Sequence, residues 1–137
     1  MSDRRIAVFF YGLFMDIEAL QAKGLQPSEP RSASVPGFAL RIGQRATLIP
    51  ALGSTVYGFT MQLTHLEVDQ LYSDASVSAY RPEAILVRLV DGTAMPALCF
   101  NLVTPPAAGE ANPQYADKLR DLAQRLQLPP DYVSSIR

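Results

Sequence analysis

The stretch Val8-Phe9-Phe10-Tyr11-Gly12-Leu13-Phe14-Met15-Asp16 is the first arrangement in this chain that could do chemistry. An apolar run, a Tyr-Gly step and an acidic residue in that order describe a strand, a turn and the start of a helix. A glycine at such a turn supplies positive φ or lets another group approach the backbone closely. Amides exposed between a strand and a helix N-terminus also form an anion site, so Gly12 could admit a carboxylate to the backbone. The alternative is a plain strand-to-helix turn, with Tyr11 either in a pocket or anchoring the bend.

Other chemistries are bounded by counting. Cys99 is the only cysteine and His65 the only histidine, which excludes an intrachain disulfide, a zinc cluster and any triad or metal site needing two histidines. Neither a metal nor a nucleotide cofactor is expected, because phosphate-loop spacing is absent as well. Cys99 falls in an expected strand and reads as core, whereas His65 opens a capped helix and reads as surface. Arg45 and Arg81 could pair with a carboxylate, although arginines on loops commonly face water.

The chain of 137 residues is 48% apolar and 18% charged, which suits one folded domain over residues 1–137. Lysine plus arginine total 12 against 13 acidic residues, for a formal net charge of −1. That balance leaves no basic field for nucleic acid. The N-terminus, Met-Ser-Asp-Arg-Arg, leads into an apolar run too short for a signal sequence, and no stretch approaches a membrane span. The expectation is a cytoplasmic protein with a small-molecule ligand.

The elements that would position these residues follow from periodicity. Residues 5–11 read as a buried strand, and Asp16 caps a helix closed by Gly24. Residues 25–36, with Pro27, Pro30 and Pro36, read as a loop, and 38–42 as a strand. Residues 43–54 read as irregular, with Pro50 and Gly53 as breakers. In 55–63 Tyr57, Phe59, Met61 and Leu63 share one face of a strand. Thr64 and Glu67 then form a capping box, with Leu63 and Val68 as its staple, for a helix over 65–72. After a loop over 73–79, Ile85 to Val90 read as a strand buried on both faces. Asp91-Gly92 signals a type I′ hairpin, with 95–100 as the returning strand. Asn112-Pro113 starts a helix whose stripe Tyr115, Leu119, Leu122 and Leu126 is core, and Asp131 caps a last turn after Pro129-Pro130. Together these give one α+β domain around a mostly antiparallel, closed or strongly coiled sheet.

Four segments, in order along nearly the whole chain, resemble the gamma-glutamylcyclotransferase-like superfamily, which includes the AIG2-like proteins. The step Val8-Phe9-Phe10-Tyr11-Gly12 resembles its Tyr-Gly-Ser or Tyr-Gly-Thr loop, and Val56-Tyr57-Gly58-Phe59 its Val-x-Gly strand. Residues 71–80 stand where the family has Leu-Asp-x-x-Glu-Gly followed by a tyrosine. The tail Leu126-Gln127-Leu128-Pro129-Pro130-Asp131-Tyr132-Val133 is similar to Leu-Gly-Leu-Pro-x-x-Tyr-Ile of bacterial members. The resemblance implies a small β-barrel flanked by helices with a pocket at one end. It implies cyclisation of γ-glutamyl amines to 5-oxoproline, with the glutamyl group held by the Tyr-Gly loop and a glutamate moving the proton. Tyr11, Gly12, Leu13, Phe14 and Tyr80 are then the ligand-binding residues.

The sequence also departs from that pattern. Tyr72 takes the family's Asp position, Ala75 that of the catalytic Glu and Ser76 that of the Gly. Leu13 replaces a Ser or Thr, and Phe100 stands where a Tyr is frequent. Asp74, one residue early and one methylene shorter, is the candidate substitute for the proton carrier. Glu67 and Glu83 are the only other acids that could supply the carboxylate. Two readings stay open: an enzyme of the cyclotransferase type (an acyl-group transferase acting by cyclisation), or a relative that binds a ligand or a protein without catalysis.

Overall fold

A computed structural model describes residues 4–137; Met1, Ser2 and Asp3, read above as part of the N-terminal segment, lie outside the described residues. Five strands close into a barrel in the order β1-β3-β2-β4-β5. They are β1 (Arg5–Phe10), β2 (Ser28–Ile42), β3 (Ala46–Thr64), β4 (Tyr80–Leu89) and β5 (Ala94–Leu102). Every seam is antiparallel except the last, where β1 lies parallel to β5 with Val8 beside Leu98 and Phe9 beside Cys99. The helices are α1 (Ile17–Ala22), α2 (His65–Leu71), α3 (Pro113–Arg125) and α4 (Pro130–Ser135), with a 3-10 turn over Leu13–Met15. The expected mostly antiparallel α+β barrel is the fold observed.

The long β2–β3 hairpin corrects the sequence reading most. Residues 28–36 and 46–54, read as loop and irregular chain, are strand. The prolines and glycines there break register without ending the ladder. Pro30 lies in a shift between Ser28 and Arg31, and the pairing jumps from Pro36–Thr55 to Phe38–Pro50. Gly37 and Gly53, with φ of +86° and +85°, supply the left-handed backbone for that second irregularity. Beyond it the hairpin continues as an arm that carries residues 43–45 to one end of the barrel.

The 90–93 turn is a second correction. Gly92 N–H donates to Leu89 O at 2.9 Å, and only Gly92 in this turn has positive φ. A type I′ turn would need it at two consecutive residues, so this is a hairpin of the type I kind with a left-handed glycine after it. The Asp91 carboxylate fixes it by accepting from the Thr93 amide and hydroxyl. Strand β4 is also not buried on both faces, for Leu86 is 66% exposed on the outside of the barrel where no helix covers it.

The remaining elements agree with their patterns to within a residue or two. Thr64 accepts from Glu67 N at 3.1 Å while Glu67 accepts from Thr64 N at 2.9 Å, completing the capping box. Asn112 caps α3 by accepting from Tyr115 N, and Ala116, Leu119, Leu122 and Ala123 seal that helix onto the barrel. The N-cap of α4 is Pro129 rather than Asp131, which stands in its first turn. The barrel interior is filled by Phe9, Val35, Val56 and Val87.

Candidate functional site

Strand β1 leaves the sheet after Phe10 and delivers Tyr11 to the end of the barrel. Tyr11 is 7% exposed, and its hydroxyl donates to Phe100 O at 2.7 Å. Gly12 follows in extended conformation, with φ of −116° and ψ of −150°, so no left-handed backbone explains the glycine. Close approach does: a Cβ on residue 12 would lie 2.6 Å from the Tyr115 hydroxyl of α3. No side chain caps the 3-10 turn that comes next. Gly12, Leu13 and Phe14 line a cavity of about 240 Å³ at the barrel end.

Every residue assigned from sequence to ligand binding lines this cavity: Tyr11, Gly12, Leu13, Phe14 and Tyr80. Asp74 lines it too and is the only carboxylate among the described residues that does; Lys23 and Arg45 are the cations in its lining. Ala75 is exposed and does not line it.

Arg45 is held in place by the arm. Two phenols, Tyr11 and Tyr80, reach the Ala46 carbonyl from opposite sides of the barrel end. Behind the turn, Gln44 N donates to Glu110 Oε2 at 2.9 Å and Asn112 Nδ2 to Gly43 O at 3.1 Å. Arg45 Nε then donates to Ser76 O at 2.8 Å, joining the arm to the 73–79 loop. Among the described residues no carboxylate pairs with Arg45, the ion pairs being Arg5–Glu67 and Arg120–Asp117.

The acids are arranged for tasks other than proton transfer inside the cavity. Asp74 Oδ1 accepts from Ser76 Oγ at 2.7 Å and Ser76 N at 2.9 Å, a local Asx turn. The Ser76 hydroxyl, then its amide, hold that exposed carboxyl below its ordinary value, with Lys23 adding to them. Glu67 accepts from Thr64 N and from Gln26 N at 2.7 Å, tying α2 to the start of β2. Glu83 accepts from Asn101 Nδ2 at 2.7 Å. Neither glutamate lines the cavity.

Aromatic rings make up much of the rest of the lining. Tyr72, the C-cap of α2, stacks on Phe100 with centroids 3.9 Å apart and planes 13° apart. Phe14 meets Tyr72 edge-on at 6.0 Å, and Tyr80 lies 6.2 Å from the same ring. Burial pushes the phenols of Tyr72 and Tyr115 well above their usual range, the Leu13 amide acting the other way on Tyr115. These groups stay neutral donors at physiological pH.

The sequence offered Arg45 either as a carboxylate partner or as a loop arginine facing water, read Tyr115 as core, and did not single out Lys23, Thr47 or Asn101. The stripe of α3 could not reveal that its first member overshoots the core and ends on the Tyr-Gly loop. Asn101, 5% exposed, accepts from Leu48 N at 3.2 Å and Thr47 Oγ1 at 3.4 Å. It crosses from β5 to the arm, and only the closed barrel brings those residues together.

No protein-family model matches the sequence, and no curated protein matches it. Solved structures do match in fold. A gamma-glutamyl cyclotransferase superposes with a TM-score of 0.80 at 19% identity, over 98% of this chain and 89% of that one. YkqA from Bacillus subtilis gives 0.78 at 23% identity, covering 96% of this chain and 52% of YkqA. An AIG2-like protein from Mus musculus gives 0.61 at 14% identity, over 85% of this chain and 94% of that protein. The chain thus has the gamma-glutamylcyclotransferase-like fold, with a cavity bordered by its Tyr-Gly loop.

No helix among the described residues is long and apolar enough to cross a membrane. None of their His, Cys, Asp and Glu side chains gather into a group of three that could hold a metal ion.

Proposed function

We propose that the cavity binds a γ-glutamyl amine or a similar small carboxylate-bearing amide, and that it does so without cyclising it. The observation that carries this reading is the charge arrangement at the mouth. Arg45, half-buried, lines the cavity without a carboxylate partner among the described residues, whereas the only lining acid is engaged by Ser76. A carboxylate entering here meets Arg45 and Lys23, a pair suited to charge-assisted hydrogen bonds.

Cyclisation makes a different demand. A base must take a proton from the α-ammonium so that the nitrogen can attack the γ-carbonyl, and an acid must then protonate the departing amine. One carboxyl can do both when burial lifts its pKa toward neutrality. Asp74 is exposed and shifted the other way, so it is a weak acid catalyst at neutral pH. The general acid–base factor of about 10²–10⁴ is what the site lacks.

The second reading is turnover through Asp74, and its support is that this carboxylate does line the cavity. Calorimetric titration with γ-glutamyl-ethylamide tests the first reading. Saturable binding is expected, weakened about tenfold or more by Arg45→Gln, since charged hydrogen bonds are each worth about that factor. Binding that ignores the substitution, or no binding at all, would sink it.

A further inference from the structure

We infer that the ligand of this cavity carries a flat aromatic group besides its carboxylate. The inference rests on the reading that the cavity takes a small carboxylate. It comes from the ring surface that the lining offers beside its charges. The charged lining residues, Lys23, Arg45 and Asp74, belong to the C-cap of α1, the arm and the 73–79 loop. The ring wall of Phe14, Tyr72, Tyr80 and Phe100 comes from the 3-10 turn, α2, β4 and β5.

That wall offers ring surface in place of polar atoms. The Tyr11 hydroxyl is spent on Phe100 O and the Tyr80 hydroxyl on Ala46 O, so each phenol points at the chain's own carbonyl. Leu13, Leu71 and Val77 continue the lining with aliphatic groups. A ligand with only a short polar tail leaves these surfaces against water. A planar ring placed there removes apolar surface from water on both partners and adds edge or offset contacts with Tyr72 and Phe14. A volume of about 240 Å³ accommodates a ring and a short chain, being several times the ≈ 30 Å³ share of one water.

The wall is also rigid, which favours a flat partner over a flexible one. Tyr72 is locked between the Phe100 face and the Phe14 edge, while Phe14 is braced by Phe10 at 6.1 Å. A preorganised wall loses little side-chain freedom on binding.

The test compares two probes with the same head group, γ-glutamyl-ethylamide and γ-glutamyl-anilide, by calorimetry on the full chain. 3-Phenylpropionate serves as a ring-bearing carboxylate without the glutamyl group. The anilide is expected to bind at least tenfold more tightly than the ethylamide. Tyr72→Leu, checked for folding by thermal melting, should narrow that gap. Equal affinity of the two glutamyl probes overturns the inference and leaves the carboxylate reading standing. Binding of 3-phenylpropionate alone, weakened by Tyr72→Leu, supports the ring site and discards the glutamyl head group. No binding by any of the three overturns both. The wild-type comparison decides the matter even if the variant does not fold.

Discussion

The Tyr115 hydroxyl occupies the space in which a side chain on residue 12 would begin, 2.6 Å from an ideal Cβ there. Helix α3 and the Tyr-Gly loop are therefore fitted to one another, and the glycine is needed for that fit rather than for its dihedral freedom. Gly12→Ala must displace the Tyr115 ring, an overpacking cost of about 1–3 kcal/mol. Tyr115→Phe deletes the obstructing oxygen and leaves the ring carbon at an ordinary 4.0 Å. Urea denaturation of the four species in this cycle should show Gly12→Ala costing clearly less in the Tyr115→Phe background. Additive effects would mean that the hydroxyl is not what excludes a side chain.

Gly58 meets a harder neighbour. A Cβ there would run into the Phe10 carbonyl oxygen and lie 2.9 Å from Phe9 Cζ, so backbone as well as side chain would have to move. Gly58→Ala should cost about 3 kcal/mol or more, at the upper end of overpacking substitutions. Gly109→Ala, with nothing within 4 Å and no positive φ, is the control and should stay within about 0.5 kcal/mol. A similar midpoint for both variants would contradict the close packing of β3 against the end of β1.

Glu67 gives the fold a pH dependence of definite sign. Burial acts to raise its carboxyl, but the Thr64 and Gln26 amides, with Arg5 beside them, outweigh it and hold the group below its ordinary 4.5. A carboxyl depressed in the folded state stabilises above its unfolded pKa, and the benefit is lost as pH falls through the folded value. The stability difference between wild type and Glu67→Gln should thus be level from pH 6 to 7 and shrink below about pH 4. A gap that widens on acidification would reverse the assignment.

Cys99 carries a thiol that burial pushes up to about 12, with Asn101 drawing it down and Glu83 raising it further. At 0% exposure it should resist a water-soluble disulfide reagent at pH 8 and react fully only in denaturant. Fast labelling of the native protein would show that β5 opens next to its parallel seam with β1.

The sequence was most informative where local chemistry and tertiary structure agree. Thr64, Glu67, Asn112 and Pro113 mark helix starts through hydrogen bonds made within a few residues, so their positions could be read directly. Tyr11 and Gly12 pointed to the end of the barrel where the cavity lies, because strand β1 stops there. The β2–β3 hairpin was hidden because Pro36, Gly37, Pro50 and Gly53 resemble terminators. Their effect is to bend a ladder whose strength comes from a distant partner strand. Tyr115 looked ordinary, and Arg45 ambiguous, for a related reason. What makes each of them part of a cavity is the closure of the barrel, which joins residues over a hundred positions apart in the case of Gly12 and Tyr115.

Proton NMR of the wild-type chain with excess γ-glutamyl-ethylamide tests the central claim most directly, because the bound probe and free 5-oxoproline are both visible in one tube. Line broadening of the probe with no 5-oxoproline above the buffer rate is the predicted result. Multiple-turnover release of 5-oxoproline that disappears in Asp74→Asn would contradict it and make Asp74 the working carboxylate of an enzyme.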